Sequence, residues 1–327
     1  MNVGLDIGYS DTKAVSDKAQ KIFASVTGTP DESDFAFSEN GSIVLERPDY
    51  VLIGAAAVRK SRHVPRWEDR DWIETDEYYH LFLAALTEIT KATSADLWIV
   101  TGLPIAFYGD RENLRNVMIG EHRPQRKDRD WAQVFRVKDV RVIPQPFGCL
   151  LSEALNNNGT VANADLLNGE VGIIDVGGKT TNILSVSEAS EVRPETASVT
   201  KGAWDVVRAV RDWLDDNTKL RPRDHQIVDH IKGVKLLKER GREIDLTSIM
   251  EAELEPMAKE VISNATQLWN GGDALDAILV SGGGAHLIGD AIKKRFPHAR
   301  VVKGDPVYAN ALGYWRFAQY LKASGRW

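Results

Sequence analysis

The sequence predicts an α/β fold built from a duplicated domain, and three stretches predict it. The first, Asn2-Val3-Gly4-Leu5-Asp6-Ile7-Gly8-Tyr9-Ser10-Asp11-Thr12-Lys13-Ala14-Val15, runs from an apolar strand through a glycine turn into a second strand. The second, Val171-Gly172-Ile173-Ile174-Asp175-Val176-Gly177-Gly178-Lys179-Thr180-Thr181-Asn182-Ile183, repeats it, with Asp175 over Asp6, Gly177 over Gly8 and Thr181 over Thr12. The third, Ala277-Ile278-Leu279-Val280-Ser281-Gly282-Gly283-Gly284-Ala285, runs a strand into three consecutive glycines. Internal similarity of this kind marks a duplication. The chain has 327 residues, enough for two domains and a sizeable core.

Each stretch has a chemical reading. Short apolar runs such as Val171–Ile174 suit strands buried on both faces. They deliver Asp6 and Asp175 to turns whose glycines lack Cβ and let the backbone approach a phosphate. Ser10, Thr180 and Thr181 add hydroxyls, and Lys13 and Lys179 add positive charge. The carboxylates suit the waters around Mg²⁺, an ion that gives up its hydration reluctantly. The triple glycine before an amphipathic segment, Leu287 to Ile292, lets the backbone lie against a flat or anionic ligand.

Composition excludes several classes. The formal charge is −6 and the pI about 5.7, which disfavours direct binding of nucleic acid through neutralised phosphates. Service to DNA would therefore go through an adaptor protein. No apolar run approaches the ~20 residues that span a bilayer, so no membrane association is expected. The amino terminus enters a strand without a basic leader segment, and a single cysteine, Cys149, excludes an internal disulfide; both fit the cytoplasm. Cys149, among Phe147, Leu150 and Leu151, reads as a buried small hydrophobe.

In chain order, Thr27 to Asn40 reads as loops and exposed strands, and Asp49 to Val58 as a strand entering a helix at Gly54. Trp67 and Trp72 lie in a charged segment, either as a protein contact or folded inward. Tyr78 to Thr90 has helical spacing, and Leu97–Val100 is a buried strand ending in Thr101-Gly102-Leu103-Pro104. Arg111 to Asp130 reads as a helix and an exposed loop, and Phe135 to Ile143 as two short strands. Pro146 opens a helix, preceded by Gln145. Residues 156–168 form a solvated loop, a helix begins near Gly202, and 219–269 is helical and charged. A last helix follows Asp305.

The ordered set D-x-G…T-K, D-x-G-G-x-T-T and S-G-G-G-A resembles the actin/Hsp70/sugar-kinase ATPase superfamily over almost the whole chain. Thr101-Gly102-Leu103-Pro104 narrows the resemblance to actin-like proteins of the ParM type. The resemblance implies two RNase H-like domains, each a mixed sheet flanked by helices, with inserted smaller subdomains. The first would span 1–150 with an insertion at about 20–80, and the second 151–308 with an insertion at about 203–270. Residues 309–327 would return to the first domain. It implies ATP and Mg²⁺ between the copies, with Asp6 and Asp175 on the metal through water. Gly8, Ser10, Asp11, Thr12, Lys13, Gly177, Gly178, Lys179, Thr180, Thr181, Gly202, Gly282, Gly283 and Gly284 would meet the nucleotide. Gln145 matches the family position that orients the attacking water, and Asp6 and Asp175 complete the catalytic set. A glutamine is no base, so turnover would be slow. Asn182 departs from the usual aspartate and is assigned no role. The resemblance further implies head-to-tail filaments, an adaptor and plasmid or DNA segregation. The alternatives are a non-filamentous kinase or a cytoskeletal scaffold of the same superfamily.

Overall fold

The computed structural model describes residues 1–29, 43–60 and 70–327. The chain divides into two compact units, Met1–Leu167 with Val307–Trp327, and Asn168–Pro306. Residues 151–167, assigned by sequence to the second domain, thus pack with the first unit.

In unit 1, β1 (Asn2–Ile7) and β2 (Asp11–Ser16) form the first hairpin, continued by β3 (Gln20–Ala24) and β4 (Thr27–Gly28). β5 (Ile43–Arg47), β6 (Val51–Ile53) and α1 (Ala55–Lys60) precede α2 (Asp76–Ile89). β7 (Ser94–Leu103), α3 (Arg111–Met118), β8 (Gly120–His122), β9 (Gln125–Arg126), β10 (Val134–Pro144), α4 (Phe147–Ala154) and α5 (Asp165–Asn168) follow. The main sheet runs β3-β2-β1-β7-β10-β8, with β7 parallel to both β1 and β10. β1 is buried along its whole length, as its apolar run requires. Thr75 caps α2 by accepting from the Tyr78 N–H, with Asp76 and Glu77 in the first turn. The helix then buries Leu81, Phe82, Leu86 and Ile89 in the sheet core.

Two expectations change here, and one open alternative is decided. Phe135 to Ile143 forms one strand, not two, because the break in alternation is a bulge at Lys138 rather than a turn. The expected loop after α3 contains β8, paired to β10, and β9, which closes a second sheet of order β4-β6-β5-β9. Trp72 folds inward, stacked on Tyr9 at 4.8 Å and edge-on to Tyr78 at 5.1 Å. Trp67 and most of the Thr27 to Asn40 stretch lie outside the described residues.

Unit 2 repeats the plan of the main sheet. It contains β11 (Glu170–Val176), β12 (Thr181–Ser187), β13 (Ser190–Glu191), β14 (Ala197–Val199), α6 (Ala203–Asn217) and α7 (Asp224–Ile231). β15 (Lys238–Glu239), β16 (Arg242–Glu243), α8 (Thr247–Leu268), β17 (Ala277–Ser281), α9 (Ala285–Arg295) and β18 (Ala299–Val301) complete it. Its sheet runs β13-β12-β11-β17-β18, with β11/β12 antiparallel and β17 parallel to both β11 and β18. Strand for strand this matches β3-β2-β1-β7-β10, so the duplication read from two loops extends to whole sheets.

The last helix, α10 (Ala309–Ala323), belongs to unit 1, where it packs on α4, β1 and β7. The α4–α10 crossing depends on glycine. A Cβ on Gly313 would lie 1.8 Å from the Gly148 carbonyl oxygen, and one on Gly148 would lie 2.6 Å from Asn310 Cα. Cys149, beside that crossing, is buried, as expected.

Candidate functional site

The two hairpins agree residue by residue. In the first, Asp6 pairs with Lys13 and Ile7 with Thr12 across the ladder, and the Gly8 N–H donates to the Asp11 carbonyl at 3.1 Å. In the second, Asp175 pairs with Asn182 and Val176 with Thr181, and the Gly177 N–H donates to the Thr180 carbonyl at 2.9 Å. Both turns therefore present an acid at the end of a buried strand and a glycine just beyond it.

Asp6 is nearly buried at 3 % exposure, so its charge must be compensated. Lys13 Nζ lies 3.3 Å from Oδ2, and Gln145 Nε2 donates to Oδ1 at 2.8 Å. Gln145 arrives from the end of β10: its backbone N–H donates to the Leu103 carbonyl and its own carbonyl accepts from the Tyr314 hydroxyl. These bonds fix the residue ahead of α4, which Pro146 opens as expected. Burial, then the nearby Asp6 charge, pushes the Tyr78 hydroxyl far above the usual tyrosine range.

In unit 2, Asp175 is also buried, and its Oδ1 accepts from Ser281 Oγ at 3.1 Å. Ser281 is its direct neighbour on the parallel strand β17. The triple-glycine turn folds back on the same strand end: the Gly284 N–H donates to the Val176 carbonyl, and the Gly282 N–H to that of Pro306. Gly282 adopts φ +87°, and a Cβ there would meet Asp175 Oδ1 at 2.6 Å. Gly283 has nothing within 4 Å of the place a Cβ would occupy, so this part of the turn faces open space.

The start of α6 closes the second loop. Ala203 and Trp204 donate their N–H groups to the Gly177 and Gly178 carbonyls, and Asp205 caps the Gly202 N–H at 2.8 Å. The Gly202 backbone thus lies directly on the loop.

The two equivalent threonines make the same kind of contact in both hairpins. Thr12 is fully buried and its hydroxyl meets that of Ser25 at 2.9 Å. Thr181 is likewise buried and donates to the Lys201 carbonyl at 2.8 Å. Their hydroxyls are turned into the fold and tie each hairpin to the next segment. Ser10, Asp11, Lys179 and Thr180 are half-buried at the turns. Asn182 accepts from Ser198, joining β12 to β14. Ser281 and Ser25 escaped the sequence reading; for Ser281 the signal was its place at the end of a strand one step before the glycines.

Among the described residues no group of three or more His, Cys, Asp or Glu is placed to hold a metal, and no helix is long and apolar enough to cross a membrane.

The profile described as the N-terminal domain of actin-like proteins matches residues 4–148, and that of the archaeal actin homologue MreB-like C-terminal domain matches 173–294. An archaeal actin homolog from Thermoplasma acidophilum is 24% identical over 333 residues, covering 95% of this chain and 97% of the relative. One from Thermoplasma volcanium is 25% identical over 330 residues, with the same shares covered. Among solved structures, an archaeal actin homolog superimposes with a TM-score of 0.81 at 22% identity over 100% of this chain and 99% of the other. Its ADP complex gives 0.78 at 23%, over 100% and 99%. A 15-stranded ParM filament from Clostridium botulinum gives 0.79 at 21%, over 97% and 98%.

Proposed function

The chain belongs to the actin-like proteins, and on that premise we propose that it binds and hydrolyses ATP with Mg²⁺ and polymerises head to tail into dynamic filaments. One observation supports this most: Asp6 is held at once by Lys13 from its own hairpin and by Gln145 from 139 residues away. A buried acid, a cation and a water-orienting amide are gathered at the tip of a glycine turn, and a structural hairpin needs none of them there.

The loops fit a nucleotide. Gly8, Gly177 and Gly178 let the turn backbone come close to a phosphate, and open Gly283 has room for a flat base or ribose. Asp6 and Asp175 would hold the waters of Mg²⁺, whose remaining ligands would be water and phosphate, since no larger acidic cluster is present among the described residues. Bound there, the ion would neutralise phosphate charge. Lys13 adds a further positive charge to the first turn. Gln145, its Nε2 engaged by Asp6, keeps its amide oxygen for a hydrogen bond from the attacking water. It orients that water without taking its proton, so hydrolysis runs slowly and serves as a timer. Thr12 and Thr181 brace the loops instead of touching phosphate.

Head-to-tail contacts are heterologous, and where the rotation does not close they build open filaments. The archaeal relative's ADP complex and the ParM filament support the nucleotide and polymer parts of this reading. An acidic chain fits cytoplasmic cargo, such as plasmid DNA, reached through an adaptor rather than directly.

The test is light scattering with pelleting under Mg-ATP, Mg-ADP or Mg-AMPPNP, with phosphate release followed in parallel. Growth with ATP, then decay as phosphate appears, is expected, and Asp175→Ala abolishes the phosphate signal. ATP turnover without polymer at any concentration would replace the filament with a kinase; polymer without phosphate would leave a scaffold.

A further inference from the structure

The end of β7, Gly102-Leu103, lies along the end of β10: Gly102 pairs with Ile143 and Leu103 with Pro144. Gln145 is next in the chain, and its N–H donates to the Leu103 carbonyl at 2.8 Å. Its carbonyl accepts from the Gly148 N–H at 3.1 Å and from the Tyr314 hydroxyl at 2.9 Å. The peptide planes on both sides of Gln145 Cα are therefore held, which fixes the direction in which its side chain leaves the backbone. Tyr314 reaches this carbonyl from α10 through space left by two glycines. A Cβ on Gly102 would lie 2.0 Å from the Tyr314 hydroxyl oxygen and 3.0 Å from Gln145 Cα. One on Gly148 would lie 2.6 Å from the Tyr314 ring.

The Tyr314 ring is fully buried with Val100, Ala318 and Leu321. A phenylalanine would fill that volume without the cost of burying a hydroxyl. The carbonyl that the hydroxyl meets already has a partner in the Gly148 N–H, so the added bond is not needed to satisfy a lone acceptor. We propose that Tyr314 is a positioning residue for hydrolysis: its hydroxyl, admitted by Gly102, sets the Gln145 backbone so that the side-chain amide is aimed at the attacking water. The proposal deepens the water-orienting reading of Gln145 and rests on it. It also gives the Gly102-Leu103 strand end a task, since one residue clears the path for the hydroxyl and the other holds the Gln145 N–H. The hydroxyl acts on Gln145 and not on the glycine turns, so its loss belongs in the rate of phosphate release and not in nucleotide affinity.

The experiment follows single-turnover phosphate release from Mg-ATP in wild type, Tyr314→Phe, Gln145→Ala, the double variant and Leu321→Val. ATP affinity, pelleting and melting temperature are read on the same samples. A misplacement of about 1 Å can cost about 100-fold in rate; the Leu103 and Gly148 bonds that remain limit it here, so Tyr314→Phe should slow release by about 3- to 10-fold. Its ATP affinity should stay within about twofold of wild type. In the Gln145→Ala background the same substitution should slow release no further, because the side chain it positions is gone. Leu321→Val loosens the same cluster about two turns along α10, and should melt lower while releasing phosphate at the wild-type rate. If Gln145→Ala is slow but Tyr314→Phe matches wild type, the inference fails and the reading of Gln145 stands. Full slowing by Tyr314→Phe in the Gln145→Ala background, or equal slowing in Leu321→Val, also overturns it, since the hydroxyl then acts by another route or only through packing. If Gln145→Ala itself releases phosphate at the wild-type rate, the water-orienting reading fails and this inference with it.

Discussion

Gln145→Ala separates the observed role of one side chain, its hydrogen bond to Asp6, from the proposed one, orienting water. The substitution removes the Nε2 donor 2.8 Å from Asp6 Oδ1, while Lys13 remains on Oδ2. A hydrogen bond to a charged group contributes about 1.5–3 kcal/mol, and the buried acceptor left behind adds a desolvation cost. The truncated side chain leaves room for water to reach Asp6, which places the expected loss near the lower end, about 1–2 kcal/mol. For a domain of this size that lowers the melting temperature by roughly 2–8 °C. The same deletion removes the amide oxygen that, in the proposed mechanism, orients the attacking water. Losing that orientation should slow single-turnover phosphate release by about 10- to 100-fold, equivalent to about 1.4–2.7 kcal/mol in the barrier. Nucleotide affinity, which the proposed site draws from the glycine turns and Lys13, should change much less. A variant that melts lower but releases phosphate at the wild-type rate would refute the reasoning. Gln145 would then be a brace for Asp6, and water would have to be oriented elsewhere.

Two further perturbations test the scaffold. Gly313→Ala drives a Cβ to 1.8 Å from the Gly148 carbonyl, a backbone clash that repacking cannot relieve, and should cost about 2–3 kcal/mol or more in urea unfolding. Gly283→Ala, with nothing within 4 Å, should leave the urea midpoint nearly unchanged while weakening nucleotide binding; a wild-type affinity there would show that the open glycine does not face the ligand. His122 supplies a pH dependence. Its ring is buried, Nε2 donating to the Met118 carbonyl and Nδ1 accepting from the Tyr79 hydroxyl, and burial holds its pKa below the usual imidazole value. The unfolded chain therefore takes up a proton at a pH where the folded one resists it. Stability is full above the ordinary imidazole pKa and falls as pH drops through it, until the folded ring also titrates. Melting curves between pH 7.5 and 5.5 should show this decline in wild type and a shallower one in His122→Gln; equal slopes would place the titration elsewhere.

The parts of this fold legible in the sequence are those in which pattern and geometry are local. Asp6 and Asp175, each a fixed distance from a glycine at the end of an apolar run, predicted two hairpins, and the matching strand orders follow from that repeat. What was not legible depends on distant closure. The hydroxyls of Thr12 and Thr181 look alike in sequence to any phosphate-loop threonine. Their inward turn is set by Ser25 and by the Lys201 carbonyl, which belong to other segments. Trp72 looked half like a surface contact because its neighbours are charged, yet a short turn over Arg70–Glu74 brings it onto Tyr9. In β10 the shift of phase between Val137 and Val140 signals a bulge as readily as a turn, and only the continuous pairing with β7 decides.

The duplication also conceals a difference that follows from one ladder position. Across from Asp6 stands Lys13, a cation; across from Asp175 stands Asn182, which is neutral and directed to Ser198. The strand next to Asp175 offers the Ser281 hydroxyl, a neutral donor, while Asp6 receives the Gln145 amide from beyond its sheet. Two carboxylates with the same backbone setting therefore differ in their nearest cross-strand compensation. A carboxylate opposed by a cation is already neutralised and suits positioning work, such as holding Gln145. The asparagine at position 182, assigned no catalytic role, thereby distinguishes the two halves of a repeated motif: a cation stands across from Asp6 and an amide across from Asp175.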